Sequence, residues 1–380
     1  MSLELPPLSL YIHVPWCVRK CPYCDFNSHA QRGELPEAEY IQCLLEDLKE
    51  EQHLAQGRTI QTIFIGGGTP SLFSADSFKK LLDQIDQIIP IDKDAEITLE
   101  ANPGTFEQAK FIGFLDAGIN RLSIGIQSFN DSHLTSLGRI HSAEEAIKAA
   151  TMARELFPRF NLDLMHGLPG QDCSGALADL KQAIALQPDH LSWYQLTIEP
   201  NTEFHTHTPI LPIDETLWDI QEQGLALIQS AGYKQYEVSA YAKSPEQQSR
   251  HNLNYWRFGD YLGIGAGAHG KITLLQEQKI IRRWKQKQPK AYMQKSTRLA
   301  GETEITREEL PFEFMLNTLR LCQGVPAELF PKRTGLCLDF IEAELKEARD
   351  KELLSKRPEM LQPTNNGQYF LNDLLSIFIK

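Results

Sequence analysis

Residues Leu8–Cys24 read LSLYIHVPWCVRKCPYC, a run of β-branched and aromatic residues that passes directly into three cysteines spaced Cys-x3-Cys-x2-Cys. The run predicts a strand over Leu8–Val14. Further strands are predicted near Thr62–Ile65, Glu96–Glu100, Arg121–Ile126, Asn161–Met165 and Leu191–Thr197. Segments of helical periodicity separate them, near Glu37–Leu54, Ser74–Ile88, Thr105–Leu115, Ala143–Glu155 and Gly175–Ala185, with one more near Asp214–Gln229. Strand–helix alternation implies right-handed crossovers and a parallel sheet, which can curl into a full or partial barrel or stay open and doubly wound. The loops favour the barrel. Unusual residues follow successive strands: the cysteines, then Gly66–Pro70, Asn102 and Pro103, Gln127, and Gly167–Gly170. Parallel α/β folds build their sites at strand C-termini, so these loops are expected to share one mouth.

The chain has 380 residues, 42% hydrophobic and 23% charged, which fits one large globular unit with a smaller appendage. A formal charge of −12 argues against a nucleic-acid partner. No stretch is long and apolar enough to span a bilayer, and MSLELPPLSL lacks the basic start of a secretory signal, so a cytoplasmic location is expected. Seven cysteines and no export signal read as reduced thiols.

Beyond residue 235 the pattern changes to short strands and glycines, then a basic stretch, then helices from Pro311. Asn365-Asn366-Gly367, between Leu361 and Tyr369, predicts a hairpin turn. The tail over 311–380 carries nine Lys/Arg against ten Asp/Glu, which is not the charge of a DNA reader.

Three soft thiolates on a short loop suit an iron–sulfur cluster or zinc. Structural zinc needs a fourth ligand, and none is obvious among His13, His29 or a second Cys-x2-Cys pair. Gly66-Gly67-Gly68-Thr69-Pro70 is either a tight-packing turn or a cradle in which backbone groups approach a ligand, and its position after the next strand favours the cradle. It is not a P-loop, because no Gly-Lys-Ser/Thr follows.

CVRKCPYC, with Tyr23 as the aromatic before the last cysteine, resembles the signature of radical S-adenosylmethionine (radical SAM) proteins. The resemblance implies a [4Fe–4S] cluster on Cys17, Cys21 and Cys24, with S-adenosyl-L-methionine chelating the fourth iron; the missing ligand is then explained. It implies an α/β fold, a partial (β/α)6 TIM-like barrel with a smaller C-terminal α+β, winged-helix-like domain. Within the coproporphyrinogen dehydrogenase (HemN) branch, positions that bind S-adenosylmethionine correspond to Tyr11, Tyr23, Gly67, Gly68, Thr69, Glu100, Gln127, Arg139 and Asp163. Taken singly, each of these polar residues reads as solvated or salt-bridged. A low-potential electron donor is an implied partner.

The set YIHVPWC, GGGTPSLF, EANP, GIQSFN, DLMHGLPGQ, YQLTIEPNT and RHNLNYWRFGDYLGIGAGAHG is similar to the HemW group of that branch. Phe26 stands where the oxidase has a fourth cysteine, and only sixteen residues precede Cys17 where the oxidase has an N-terminal extension. The resemblance therefore implies a haem chaperone that delivers haem to apo-haemoproteins such as respiratory enzymes. The alternative is an oxygen-independent coproporphyrinogen III dehydrogenase acting by radical oxidative decarboxylation, and the sequence leaves the chain's standing as an enzyme open. His251, Asn252, Tyr255 and Trp256 resemble the group's haem-binding signature, although an isolated histidine there reads as a satisfied side chain of a surface loop. Expected divisions are a core over 1–235, a barrel-completing and haem-binding segment over 236–300, and a HemN-like domain over 301–380.

Lys279–Arg298 holds eight Lys/Arg and no acid. It reads first as a solvated basic face; a second expectation is contact with haem propionates, an acidic partner or, transiently, an anionic membrane. A homodimer is a further expectation.

Overall fold

The computed structural model describes residues 3–105, 108–294 and 298–379. Six parallel strands carry the barrel: β1 (Leu8–Val14), β2 (Ile60–Gly67), β3 (Ile91–Ala101), β4 (Arg121–Gln127), β5 (Arg159–His166) and β6 (His190–Gln195). The predicted strands are all present, and β2 and β3 extend beyond the predicted limits. The crossover helices are α1 (Glu37–Glu51), α2 (Ala75–Ile88), α3 (Gln108–Asp116), α4 (Ala143–Leu156) and α5 (Cys173–Ala185), followed by α6 (Asp214–Ser230). Part of the helix predicted from Thr105 lies outside the described residues.

Local chemistry fixes these elements. Phe78, Leu81, Leu82 and Ile85 put a buried stripe on α2, and the Ser74 side chain caps it by accepting from the Ser77 N–H. Ser142 and Glu145 form a capping box at the start of α4. In β1, Leu8, Leu10, Ile12 and Val14 are buried in the main core, whereas the intervening Ser9, Tyr11 and His13 bond to polar groups. One face of the strand therefore packs on helices and the other faces a polar bore.

The sheet continues through β7 (Lys234–Glu237), β8 (Ala240–Ala242), β9 (Asp260–Ile264), β10 (His269–Leu274), β11 (Lys279–Lys285) and β12 (Leu299–Glu304). Its order is β12-β11-β10-β9-β1-β2-β3-β4-β5-β6-β8-β7, with β9 parallel to β1. Helix α7 (Arg250–Trp256) lies between β8 and β9 in the chain and contacts β1, β2 and β9.

A second core gathers Phe314, Phe330, Ile341, Leu361 and Phe378 with Leu3 from the chain's start. Its elements are α8 (Leu310–Thr318), β13 (Val325–Pro326), α9 (Leu329–Thr334), α10 (Glu342–Asp350), β14 (Met360–Leu361), α11 (Asn365–Tyr369) and α12 (Leu371–Ser376), with β13 antiparallel to β14. The hairpin expected at Asn365–Gly367 is not formed. Thr364 accepts from the Gly367 N–H at 3.0 Å and caps α11, so a good N-cap residue turned this stretch into a helix start.

The basic stretch corrects the first expectation, a solvated basic face, because Lys285 and Arg298 are buried in ion pairs. Lys285 Nζ lies 2.6 Å from Asp47 and 2.7 Å from Glu51 of α1. Arg298 pairs with Glu46 and Glu50, Arg283 with Glu51 and Glu302, and Arg282 with Glu313. These cations are spent inside the fold, holding β11 to α1 and to the second core. Lys295 lies outside the described residues.

Candidate functional site

The C-terminal ends of β1–β6 open on a cavity of about 370 Å³, within the size range of small-molecule sites. Cys17, Cys21 and Cys24 line one side of it. Burial, followed by the neighbouring thiols of Cys24 and Cys21, pushes the Cys17 thiol up to about 11. Three thiols sharing one space are a donor set that a cationic iron centre would satisfy. Among the described residues, no three His, Cys, Asp or Glu side chains converge closely enough to grip a single ion.

Opposite the thiols, the triple glycine ends β2, and each position is crowded for a different reason. A Cβ on Gly66 would lie 2.8 Å from Glu100 Oε2, one on Gly67 2.6 Å from the His13 ring, and one on Gly68 2.4 Å from the Trp16 carbonyl oxygen. Gly67 also has φ +118°, which side-chain-bearing residues rarely adopt. Its N–H donates to Glu100 Oε2 at 3.0 Å. Burial outweighs that bond, and with Asp163 nearby it raises the Glu100 carboxyl to about 7. Burial also raises Asp163, which accepts from Ser123 Oγ and Asn161 Nδ2, each at 2.8 Å.

Arg139 is a half-buried cation in the site. Its guanidinium donates to Asn102 Oδ1 at 2.6 Å and the Gly125 carbonyl at 2.8 Å, and it reaches Cys21 Sγ at 3.8 Å. Gln127 stands at φ +67°, where the β4–β5 register slips. Tyr194 Oη donates to Gln127 Oε1 at 3.0 Å, which orients the amide. Tyr23 lines the cavity and packs on Phe204.

The structure therefore gathers the three cysteines with Tyr23, Gly67, Gly68, Thr69, Glu100, Gln127, Arg139 and Asp163 around one space. Tyr11 is not in the lining: it lies beneath, stacked on Phe64, with its hydroxyl 2.9 Å from His13 Nδ1. Sequence reasoning missed Tyr194, Ser123 and Gly125, which also line the cavity. Tyr194 sits near the end of β6, where the position rule that found the others also applies.

His251, Asn252, Tyr255 and Trp256 are elsewhere, on α7 at the opposite end of the bore. His251 is buried, its Nδ1 2.8 Å from Thr62 Oγ1 and its Nε2 2.8 Å from Tyr255 Oη. Burial lowers its ring to about 3. Glu96 accepts from the His251 N–H at 3.0 Å and the Arg250 N–H at 3.2 Å, and so ties down the start of α7. Arg320 lies 4.3 Å over the Trp256 ring. Neither the exposed loop nor a presented imidazole is found: His251 plugs the bore with both ring nitrogens engaged.

The pattern of the radical SAM superfamily matches residues 11–175, and that of the HemN C-terminal domain matches 305–370. A solved structure of coproporphyrinogen III oxidase (HemN) from Escherichia coli has the same fold, with TM-score 0.83 over 98% of this chain and 90% of that one at 23% identity. A partial parallel barrel with three thiols at its mouth defines a radical SAM protein. Two relatives named "Heme chaperone HemW" are similar throughout: that of Escherichia coli (strain K12) at 54% identity and that of Haemophilus influenzae at 52%, each over 99% of both chains. A mitochondrial "Radical S-adenosyl methionine domain-containing protein 1" of Bos taurus is 40% identical over 70% of this chain and 60% of its own. The chain belongs to the HemW family.

Proposed function

We propose that this protein is a haem chaperone that carries a [4Fe–4S] cluster on Cys17, Cys21 and Cys24 and S-adenosyl-L-methionine beside it, and that it passes haem to apo-haemoproteins such as respiratory enzymes. The observation that carries the reading is its similarity, over 99% of both chains, to proteins named heme chaperones. The thiol-lined cavity supports the cofactor part.

When bound, the cluster and nucleotide supply one-electron chemistry at a sulfonium. The chain's own residues bind and orient. Gly67 and Gly68 bring backbone close to the ligand, Glu100 and Asp163 offer carboxyl groups to its hydroxyls, and Gln127 and Arg139 offer donors. Arg139 also ties Cys21 to the third and fourth strands through Asn102 and Gly125, so the thiol loop and the ligand walls are held in one frame. Haem ligation by His251 belongs to the proposal too, and it requires α7 to lift, because Thr62 and Tyr255 hold both ring nitrogens. Among the described residues no helix is long and apolar enough to cross a membrane.

Anaerobic reconstitution followed by haem titration and transfer to an apo-cytochrome tests the proposal. The expected result is an iron–sulfur spectrum that responds to S-adenosylmethionine, stoichiometric haem uptake and haem delivery. Protein that binds no haem, or that forms protoporphyrinogen IX from coproporphyrinogen III under reductant, overturns the chaperone reading.

A further inference from the structure

Where the barrel meets the C-terminal domain there is a surface patch that neither the thiol cavity nor α7 uses. Trp218 of α6 lies against Tyr369 of α11, ring centroids 5.7 Å apart, and Phe370 follows directly in the chain. These three aromatic side chains stay 57%, 59% and 57% exposed. A single exposed aromatic needs no explanation, but a touching pair from two domains, with a third beside it, is the kind of patch that marks an interface. Trp and Tyr are also the residues that most often anchor one.

The patch is bordered by one sign of charge. Asp214 and Glu222 stand four residues before and after Trp218, so α6 presents all three on one face. Helix α6 has four acids and no Lys or Arg, and residues 364–379 have one acid, Asp373, and no Lys or Arg. Asp214, Glu222 and Asp373 are exposed, and none of them is in an ion pair among the described residues. Carboxylates beside aromatic faces are matched by a cation that pairs with the one and lies on the other, as arginine and lysine do. The chain itself shows the second kind of contact, where Arg320 lies 4.3 Å over the Trp256 ring.

We propose that Trp218, Tyr369 and Phe370, with the carboxylates of Asp214, Glu222 and Asp373, dock a partner protein whose surface sets lysines and arginines around an apolar centre. The partner's role, a basic-faced recipient of haem, rests on the chaperone reading above; its chemistry rests on the patch alone. The aromatic rings supply the contact area, and the unpaired carboxylates steer the partner and set its orientation. An anionic membrane is repelled by the same carboxylates, and a second copy docking patch to patch brings like charges together.

The test uses the full chain, with haem-free horse cytochrome c as a cationic probe and haem-free cytochrome b5 as an anionic one. Calorimetry at about 50 mM ionic strength is expected to show binding of the cationic probe, weakening as salt is raised, and no binding of the anionic probe. Trp218→Ala with Phe370→Ala is expected to weaken that binding about tenfold. Asp214→Lys with Glu222→Lys is expected to abolish it and to let the anionic probe bind. All four side chains are exposed, so melting curves and haem titration are expected to keep their wild-type values. Equal binding of the cationic probe by the wild type and both variants overturns this proposal alone. Variants that change only self-association in sedimentation velocity, or only binding to phosphatidylglycerol vesicles, overturn it too, making the patch an interface between copies or a membrane contact. Wild-type protein that docks the cationic probe through these residues yet takes up no haem overturns the chaperone reading and keeps the docking surface.

Discussion

Glu100 and Gly67 meet across the mouth of the bore, the glycine N–H donating to Glu100 Oε2 at 3.0 Å. This contact joins the end of the third strand to the glycine turn after the second. It also leaves a carboxyl group with a pKa near 7 facing a ligand cavity.

The raised value has a defined consequence for stability. Below about pH 4.5 Glu100 is protonated whether the chain is folded or not, and it costs nothing. As pH rises towards 7 the unfolded chain releases the proton while the folded one keeps it, so stability falls by about 3 kcal/mol and then levels off. Glu100→Gln is therefore expected to raise the thermal midpoint of the ligand-free protein at pH 8 and to leave it unchanged at pH 4.5. Scanning calorimetry at the two pH values checks this; equal midpoints at pH 8 would refute it. The ionised carboxylate is the better acceptor, so S-adenosylmethionine affinity is expected to rise through pH 7 in the wild type only.

Gly67→Ala is expected to abolish nucleotide binding and to lower stability by about 2–4 kcal/mol, since it combines φ +118° with a clash against His13. Equilibrium dialysis with S-adenosylmethionine, alongside a melting curve, reads both effects. Gly118 also has positive φ, but a Cβ there meets only Leu82 at 3.9 Å, so Gly118→Ala should lower stability without touching binding.

Lys285→Met leaves Asp47 buried without its cation and Glu51 with Arg283 alone, and is expected to cost about 3–5 kcal/mol in urea unfolding. The triple variant Asp47→Asn, Glu51→Gln, Lys285→Met is expected to recover much of that loss. A freely solvated lysine would show neither the loss nor the recovery.

If haem reaches His251, the plug must open first, and its closed state lowers the apparent affinity in proportion to its population. Thr62→Val and Tyr255→Phe each remove one hydroxyl that holds the ring. Both are expected to speed haem uptake several-fold, and His251→Ala to abolish it. Haem titration by Soret absorbance checks this. Uptake that is unaffected by His251→Ala places the haem ligand elsewhere.

The sequence was most informative where one rule applied repeatedly. Each of the six strands shows in its β-branched run, and the position after each strand led to the thiols, the glycine turn and Gln127, whereas Glu100 and Asp163 came from the family resemblance. It was least informative where long-range pairing decides. Nothing local in LGIGAG says that β9 will lie parallel to β1, and nothing local in KIIRRWK says that Arg283 and Lys285 face carboxylates of α1 more than 230 residues earlier. The Asn-Asn-Gly turn failed for the opposite reason: the capping power of Thr364 was one residue away and outweighed the hairpin preference. His251 resembled a signature, but a signature does not report burial.

The β1–β9 ladder bears on how the chain reaches its native state. Leu8 is registered against Asp260, so a strand in the middle of the sheet lacks one neighbour until two-thirds of the polypeptide has left the ribosome. Until then that strand offers an unpaired edge. Refolding should accordingly be slow and prone to aggregation, and a nascent chain halted before β9 should be a natural client of holding factors.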